Sequence, residues 1–429
     1  MTGAATVTGA ALARQTAAEI AHWRLAAQAL ADLDTAAAPE AWAALEDYLQ
    51  RGIRQRLAGV VASLVQQARA LQRLAASGRE IGAVRAGLLT LRRRYLQAET
   101  VLDFFGDAIN SRTNPALRAL LRGFDVLAGD SMAAALTPLG IDPPPALVYV
   151  DKGLGASILR AGVRLWDQAH PSPAAAIKLT RHNLSYPTAM LHETGHQVGH
   201  LTGWNAELAD AVHEVVAPRS VEVADLWRSW ASEVAADVHA FAQSGWAPVV
   251  ALANVVDGDT AEVFRIRFAD PHPFGWIRVM FNVALCRSWF GSGPWDDVAQ
   301  AWWSRHPPQA AGPEVERIAM VSVAALDDIV QVCTRRAMRS LRGAPLSAVL
   351  DPRQVHPDSL RSLEQRAGAS LLTSSYLRRR HPLPILALLT TRAVLDPENA
   401  AEHVARLRAW VCDVGADAAG RPLTINQVA

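Results

Sequence analysis

The stretch AIKLTRHNLSYPTAMLHETGHQVGHLTG, residues 176–203, predicts a β-strand followed by an α-helix. Residues 176–180 form a short apolar run that includes β-branched Ile and Thr, which is typical of a strand. The helix that follows has three boundary signals: Ser185 can cap it, Pro187 suits its first turn, and Gly203 can end it. The chain therefore changes from strand to helix within this stretch.

The predicted helix carries two histidines, His192 and His196, four residues apart. This spacing puts both imidazoles on one face of the helix, so both can bind one metal ion. Glu193 is placed to contact a water held by the metal and to act as general base. Gly195 is unfavourable inside a helix by about 1 kcal/mol relative to Ala, so it indicates close approach of another backbone or of substrate. The His-Glu-x-x-His pattern predicts a Zn2+ site.

The third ligand decides the class of zinc site. A further histidine, His200, lies eight residues after His192, a rise of about 12 Å along the helix axis. Three side chains strung along one helix do not easily give the tetrahedral geometry that zinc adopts. In metzincins a third histidine comes ten residues after the first, and Thr202 stands at that position. A carboxylate from a later helix remains.

Glu233 is the best candidate for this carboxylate because Asp237 follows it by one helical turn. Zinc-binding histidines usually donate their second ring N–H to a carboxylate, which fixes the tautomer. Asp237 can accept that hydrogen bond while Glu233 binds the metal. Three other acids remain alternatives as ligands, namely Glu207, Glu214 and Glu222.

A third segment that contains side chains suited to catalysis is Asp270-Pro271-His272-Pro273, followed by Arg278 at the start of a predicted helix. His272 can donate a hydrogen bond to a developing oxyanion. Arg278 can stabilise negative charge or pair with a carboxylate of the site. Both are therefore candidate catalytic residues.

Together, His-Glu-x-Gly-His, Glu-x-x-Ala-Asp and His-Pro-x-x-x-x-Arg resemble the signature of gluzincin metallopeptidases of the CAAX-prenyl-endopeptidase and HtpX type. The resemblance covers residues 190–280 only. It implies the following roles: His192, His196 and Glu233 bind zinc, Glu193 activates water, Asp237 supports the ligands, and His272 and Arg278 lie at the active site.

The chain departs from this family at several points. The family is typically embedded in or linked to membranes, whereas no stretch of this sequence is apolar enough to span one. Thr194 replaces the apolar residue that is usual at its position. Zincins also commonly hold an extended peptide on an edge strand before the metal helix, which predicts that residues 176–180 form an edge strand.

The rest of the chain reads as mostly helical. Apolar residues recur at three- and four-residue spacing in residues 53–65, and Asn114-Pro115 is typical of a helix start. A second strand is predicted at residues 147–150, and one helix at residues 221–243. The predicted fold is mainly α with a small β-sheet, an α+β zincin-like catalytic core between helical domains. The predicted domains are 1–139 (helical), 140–310 (metallopeptidase core) and 311–429 (helical).

Composition limits the class of partner and the location. A net charge of +1 gives no reason to expect a nucleic-acid partner. The three cysteines, Cys286, Cys333 and Cys412, are widely separated and predict reduced thiols rather than a disulfide framework. Residues 1–10 contain no signal-peptide pattern. These features predict a cytoplasmic protein without an integral membrane segment.

The sequence thus predicts a zinc-dependent endopeptidase that hydrolyses a peptide bond in a protein or peptide substrate, with Glu193 as general base. The alternative is a helical protein-interaction module whose zinc site is structural or degenerate. The substrate and the oligomeric state do not follow from the sequence.

Overall fold

A computed structural model of the chain describes residues 2–77, 80–153, 155–161, 172–267 and 269–418. These residues form mostly α-helices together with one three-stranded β-sheet. The predicted fold class, mainly α with a small sheet, is confirmed. None of the described helices is both long enough and apolar enough to cross a membrane.

The chain divides into two compact units, Met1–Arg118 with Ala161–Ala174, and Ala119–Arg160 with Ala175–Ala429. The three-part division at 139/140 and 310/311 stays a prediction. All the candidate site residues belong to the second unit.

The first unit is built from helices whose apolar faces pack together. Residues Ile53, Leu57, Val60 and Leu64 are buried, which follows from their recurrence on one helix face. The helices are α1 (Thr2–Ala29), α2 (Pro39–Trp42), α3 (Asp47–Ala76) and α4 (Ile81–Asn110).

The second unit contains the sheet and the remaining helices. The helix Pro115–Leu136 begins within the first unit and belongs to the second from Ala119 onward. At its start the Asn114 side chain accepts the N–H of Ala116 at 3.0 Å, as the sequence predicts. The strands of the second unit are β1 (Ala146–Val150), β2 (Ser157–Leu159) and β3 (Ala175–Leu179). Its helices are α5 (Pro115–Leu136), α6 (Thr188–Thr202), α7 (Trp204–Val216), α8 (Val221–Ser229), α9 (Ala231–Ser244), α10 (Ala247–Val256), α11 (Thr260–Val263), α12 (Gly275–Phe290), α13 (Pro294–Arg305), α14 (Pro313–Arg335), α15 (Leu346–Val349), α16 (Pro357–Ala367), α17 (Ser375–Arg380), α18 (Pro382–Leu395) and α19 (Ala400–Ala418).

The sheet has the strand order β1-β3-β2, with β1 parallel and β2 antiparallel to β3. Both predicted strands are present, each within one residue of its expected bounds. The prediction that the strand before the metal helix is an edge strand is wrong, because β2 covers the side of β3 that β1 leaves open. At three residues, β2 is too short to produce an alternating pattern in the sequence.

Two helix boundaries also differ from the predicted ones. Ser185 does not cap α6; it ends a 3-10 turn over His182–Leu184, and the cap position is Pro187 without a side-chain hydrogen bond. The single helix predicted over residues 221–243 is two helices, α8 and α9, separated at Trp230. Trp230 is buried and packs edge-on against Trp227 and Phe274. This tertiary packing accompanies a break that helical periodicity does not reveal.

Cys286 and Cys333 are buried free thiols, and Cys412 is a partly buried one. None of the three is paired with another in the described part of the chain.

Candidate metal centre

Helices α6 and α9 approach each other closely at Gly195. A Cβ atom at this position would lie 2.8 Å from the Cα of Ala236 on α9, closer than real Cβ contacts allow. Only glycine therefore fits here without a shift of the backbone. Of the two possibilities that Gly195 indicated in the sequence, another backbone or substrate, the structure shows the backbone. The contact brings the α6 histidines against the carboxylates of α9.

His192, His196 and Glu233 meet at this helix contact. The two imidazole rings are 4.7 Å apart and nearly perpendicular. Nε2 of His192 lies 3.2 Å from Glu233 Oε2, and Nε2 of His196 lies 3.1 Å from Glu233 Oε1. One ligand atom from each residue falls within 4.8 Å of the other two, so the group could hold a metal ion.

The alternative carboxylates have other partners. Glu207 accepts the backbone N–H groups of residues 339 and 340 at 2.9 and 2.7 Å, and these bonds outweigh burial to lower its pKa to about 2. Glu214 and Glu222 form ion pairs with arginines at the surface. His200, further along α6, is exposed. In the described part of the chain, the grouping around His192 and His196 includes Glu233 and none of these alternatives.

Asp237 holds the outer nitrogen of His192. The Nδ1 of His192 lies 2.8 Å from Asp237 Oδ1, the arrangement expected from the one-turn spacing of Glu233 and Asp237. Arg278 donates to both oxygens of Asp237, from Nε and Nη2, at 2.8 Å each. Asn282 donates a further hydrogen bond to Asp237 at 3.1 Å. Sequence reasoning missed Asn282, although it lies one turn after Arg278 on α12.

The outer nitrogen of His196 has a neutral partner. Its Nδ1 lies 3.3 Å from the hydroxyl of Ser232, and Asn205 Nδ2 donates to the same hydroxyl at 3.3 Å. Neither residue was predicted. Ser232 directly precedes Glu233, so its position next to a proposed ligand was the available signal.

The carboxylates and histidines of this centre have shifted pKa values. Burial raises the pKa of Glu193 above its usual value. Its carboxylate makes no hydrogen bond or ion pair with another described residue. Burial would lower the pKa of His192, but its contacts with the carboxylates of Asp237 and Glu233 prevail and raise that pKa to about 10. His192, His196 and Arg278 hold the pKa of Glu233 well below its usual range despite burial. Arg278 and His192 do the same for the pKa of Asp237.

His272 and Arg278 both approach Oε2 of Glu233, the oxygen that His192 also faces. The His272 side chain is 54% exposed, with Nδ1 2.6 Å from Asp270 and Nε2 3.4 Å from Glu233 Oε2. Arg278 is buried, and its Nη2 lies 3.2 Å from Glu233 Oε2. Of the two roles open to Arg278, the described structure therefore shows the pairing with carboxylates.

Thr194, which departs from the usual apolar residue, faces a buried polar cluster. Its hydroxyl donates to the carbonyl of Leu191 at 2.8 Å and lies 2.7 Å from the hydroxyl of Ser131. His239 Nε2 lies 3.3 Å from Thr194 and 3.1 Å from Ser131. Burial lowers the pKa of His239 to about 3, so this imidazole is neutral near neutral pH. The hydroxyl of Thr194 is therefore hydrogen-bonded rather than stranded in the core.

The predicted site residues thus come together from three helices, α6, α9 and α12, and one loop. Comparison of the chain with protein-family models, with curated proteins and with solved structures gives no match. The functional interpretation therefore follows from the arrangement of these side chains.

Proposed function

We propose that this protein is a zinc-dependent endopeptidase of the gluzincin type, acting on a protein or peptide substrate. The observation that supports this most strongly is the grouping of His192, His196 and Glu233 beside Glu193. Two imidazoles and one carboxylate are the protein ligands of zinc hydrolases in which a fourth position stays open for water or substrate.

The donor set fits zinc in two further respects. Glu233 Oε2 is buried and accepts no hydrogen bond of acceptable geometry, although three nitrogens lie 3.2–3.4 Å away. A buried carboxylate oxygen without a hydrogen bond suits a metal ligand, because an unpaired buried polar atom is otherwise costly. The Nδ1 of His192 is held by a carboxylate, as is usual for zinc-binding histidines.

Each residue then has a distinct role. Zinc, when bound, polarises the scissile carbonyl and makes water more acidic. Glu193 accepts a proton from the attacking water and passes it to the leaving amine. Its raised pKa makes the carboxylate a stronger base for the first of these steps. His272, on an exposed loop, is available to donate a hydrogen bond to the oxyanion. Arg278 fixes Asp237 and Glu233.

The decisive experiment replaces the general base while keeping the metal ligands. Glu193→Gln is expected to bind zinc with the stoichiometry of the wild type and to lose cleavage by about 10²–10⁴-fold. Zinc content is measured by elemental analysis, and cleavage by mass spectrometry on a mixed peptide library. Glu222→Gln is the matched control, since Glu222 is a surface acid paired with Arg317. It should cleave at the wild-type rate.

Three outcomes would contradict the proposal. Cleavage by Glu193→Gln at the wild-type rate would show that Glu193 is not the general base. A wild-type protein that binds zinc but cleaves nothing in the library would favour the alternative, a helical interaction module with a structural zinc site. If the wild-type protein did not bind zinc stoichiometrically, the result would indicate a degenerate site.

A further inference from the structure

The only two lysines of the chain, Lys152 and Lys178, lie at the same end of the small sheet. Lys152 is the second residue after β1, and Lys178 is the penultimate residue of β3. Because β1 and β3 are parallel, both positions lie at the end of the sheet where these two strands finish. A Cβ atom on Gly153 would lie 3.4 Å from Lys178 Nζ, so the amine of Lys178 sits over the loop that carries Lys152.

A cavity of 420 Å³ opens at this end of the sheet. It is lined by the loop after β1 and by the segment that follows β3, residues 150–153 and 180–182. None of the side chains of the candidate metal centre lines it. Its volume falls in the range of small-molecule sites, which is about 300–1,000 Å³.

The charges around this cavity are predominantly positive and lack acidic partners. Lys152, Lys178 and Arg181 make no ion pair with another described residue. Asp151 is the one acidic side chain among the lining residues, and it accepts the backbone N–H of Lys152 at 2.7 Å. Two positively charged side chains, Lys152 and Arg181, therefore line the cavity with one negative charge. The amine of Lys178 adds a third positive charge beside the lining residue Gly153.

From this arrangement we infer a binding site for a small molecule that carries a phosphate group. A concave site with an excess of positive charge concentrates anions. Lysine acts as a point charge toward phosphate, and arginine binds it through paired N–H donors. A phosphate dianion neutralises more of this excess positive charge than a single carboxylate does. Two of these cations line one cavity and the third lies beside it, instead of forming an extended stripe, which favours a small ligand over a nucleic acid.

The scarcity of lysine makes a direct test possible. Reductive ¹³C-methylation keeps the positive charge of each amine and labels only Lys152, Lys178 and the terminal amine. Inorganic phosphate is titrated into the labelled full chain at constant ionic strength, and the methyl signals are followed by NMR. Both lysine signals are expected to shift and saturate, while the terminal-amine signal stays in place. Sodium chloride alone should produce no saturable shift.

Two variants distinguish a specific phosphate site from a general attraction of anions to the positively charged surface. Arg181→Gln is expected to weaken phosphate binding by about tenfold, the effect of losing one charged contact. Arg69→Gln is the matched control, since it removes the same charge from an exposed position on α3. It should change the affinity by less than about twofold. Both positions are exposed, and thermal unfolding of each variant checks that the fold is intact.

Three results would overturn the inference. One is a linear shift that is equal for all three amines. Another is an equal loss of affinity in Arg181→Gln and Arg69→Gln. A third is saturation by succinate at lower concentration than by phosphate, which would make the ligand a carboxylate.

Discussion

His192 and His196 stand one turn apart on α6, yet their outer ring nitrogens meet different partners. His192 faces the carboxylate of Asp237, which Arg278 and Asn282 hold through three hydrogen bonds. His196 faces the hydroxyl of Ser232 at 3.3 Å. A carboxylate orients the ring and makes it a stronger ligand, whereas a neutral hydroxyl mainly orients it. The two histidines are therefore expected to contribute unequally to metal binding.

The largest effect is expected from removing the charge on the His192 side. Asp237→Asn leaves buried Arg278 without its main counter-charge, so the metal-free protein should lose roughly 3–5 kcal/mol of unfolding free energy. Metal affinity should fall by about 10–100-fold. Urea unfolding and zinc titration against a chromogenic chelator measure the two effects.

Asp225→Asn is the control for this change, because Asp225 is 65% exposed and its partner is a histidine outside the centre. Its effect on stability should stay within about 0.5 kcal/mol. A similar small effect for Asp237→Asn would mean that the charged network does not support His192.

The contribution of His192 to the free energy of unfolding is expected to depend on pH. The pKa of His192 is raised from 6.5 to about 10 in the metal-free fold, so its stabilising contribution is complete below pH 6.5. That contribution is lost as pH rises toward 10. The difference in unfolding free energy between wild type and His192→Gln should therefore shrink between pH 6.5 and 10. Urea unfolding of the metal-free proteins across this range measures it, and a constant difference would refute the assigned protonation state.

The smallest effect is expected on the His196 side. Ser232→Ala removes one neutral hydrogen bond, which contributes about 1 kcal/mol. Metal affinity should fall by less than about tenfold, and Ser232→Thr, which keeps the hydroxyl, should restore it. The same chelator titration applies. If Ser232→Ala weakened binding as much as Asp237→Asn, the difference between the two histidines would not depend on charge.

The unequal support of the two histidines was only partly predictable. The one-turn spacing of Glu233 and Asp237 follows from helical periodicity, so the sequence could indicate a ligand and its neighbouring carboxylate. The roles of Asn282 and Ser232 depend on how α12 and α9 are oriented against α6. Hydrogen-bonding side chains of this kind are common throughout the sequence, and no spacing rule connects residues on different helices.

The bounds of the strands and helices were also only partly predictable from the sequence. The strands β1 and β3 and the start of α5 follow from local signals, because proline and short apolar runs act within a few residues. The central position of β3 depends on pairing with β2, a strand too short to leave a pattern. The break at Trp230 accompanies burial of its indole against aromatic rings from elsewhere in the unit.

What the sequence determined by itself is the helix with His192, Glu193 and His196 on it, since residues four apart on a helix share a face. It also indicated, through Gly195, a close approach to that helix by another backbone or by substrate. Only the tertiary structure decided which carboxylate completes the group. Glu207, Glu214 and Glu222 are equally acidic in the sequence, but the close contact of α6 with α9 brings Glu233 to the two imidazoles and leaves the others with partners elsewhere.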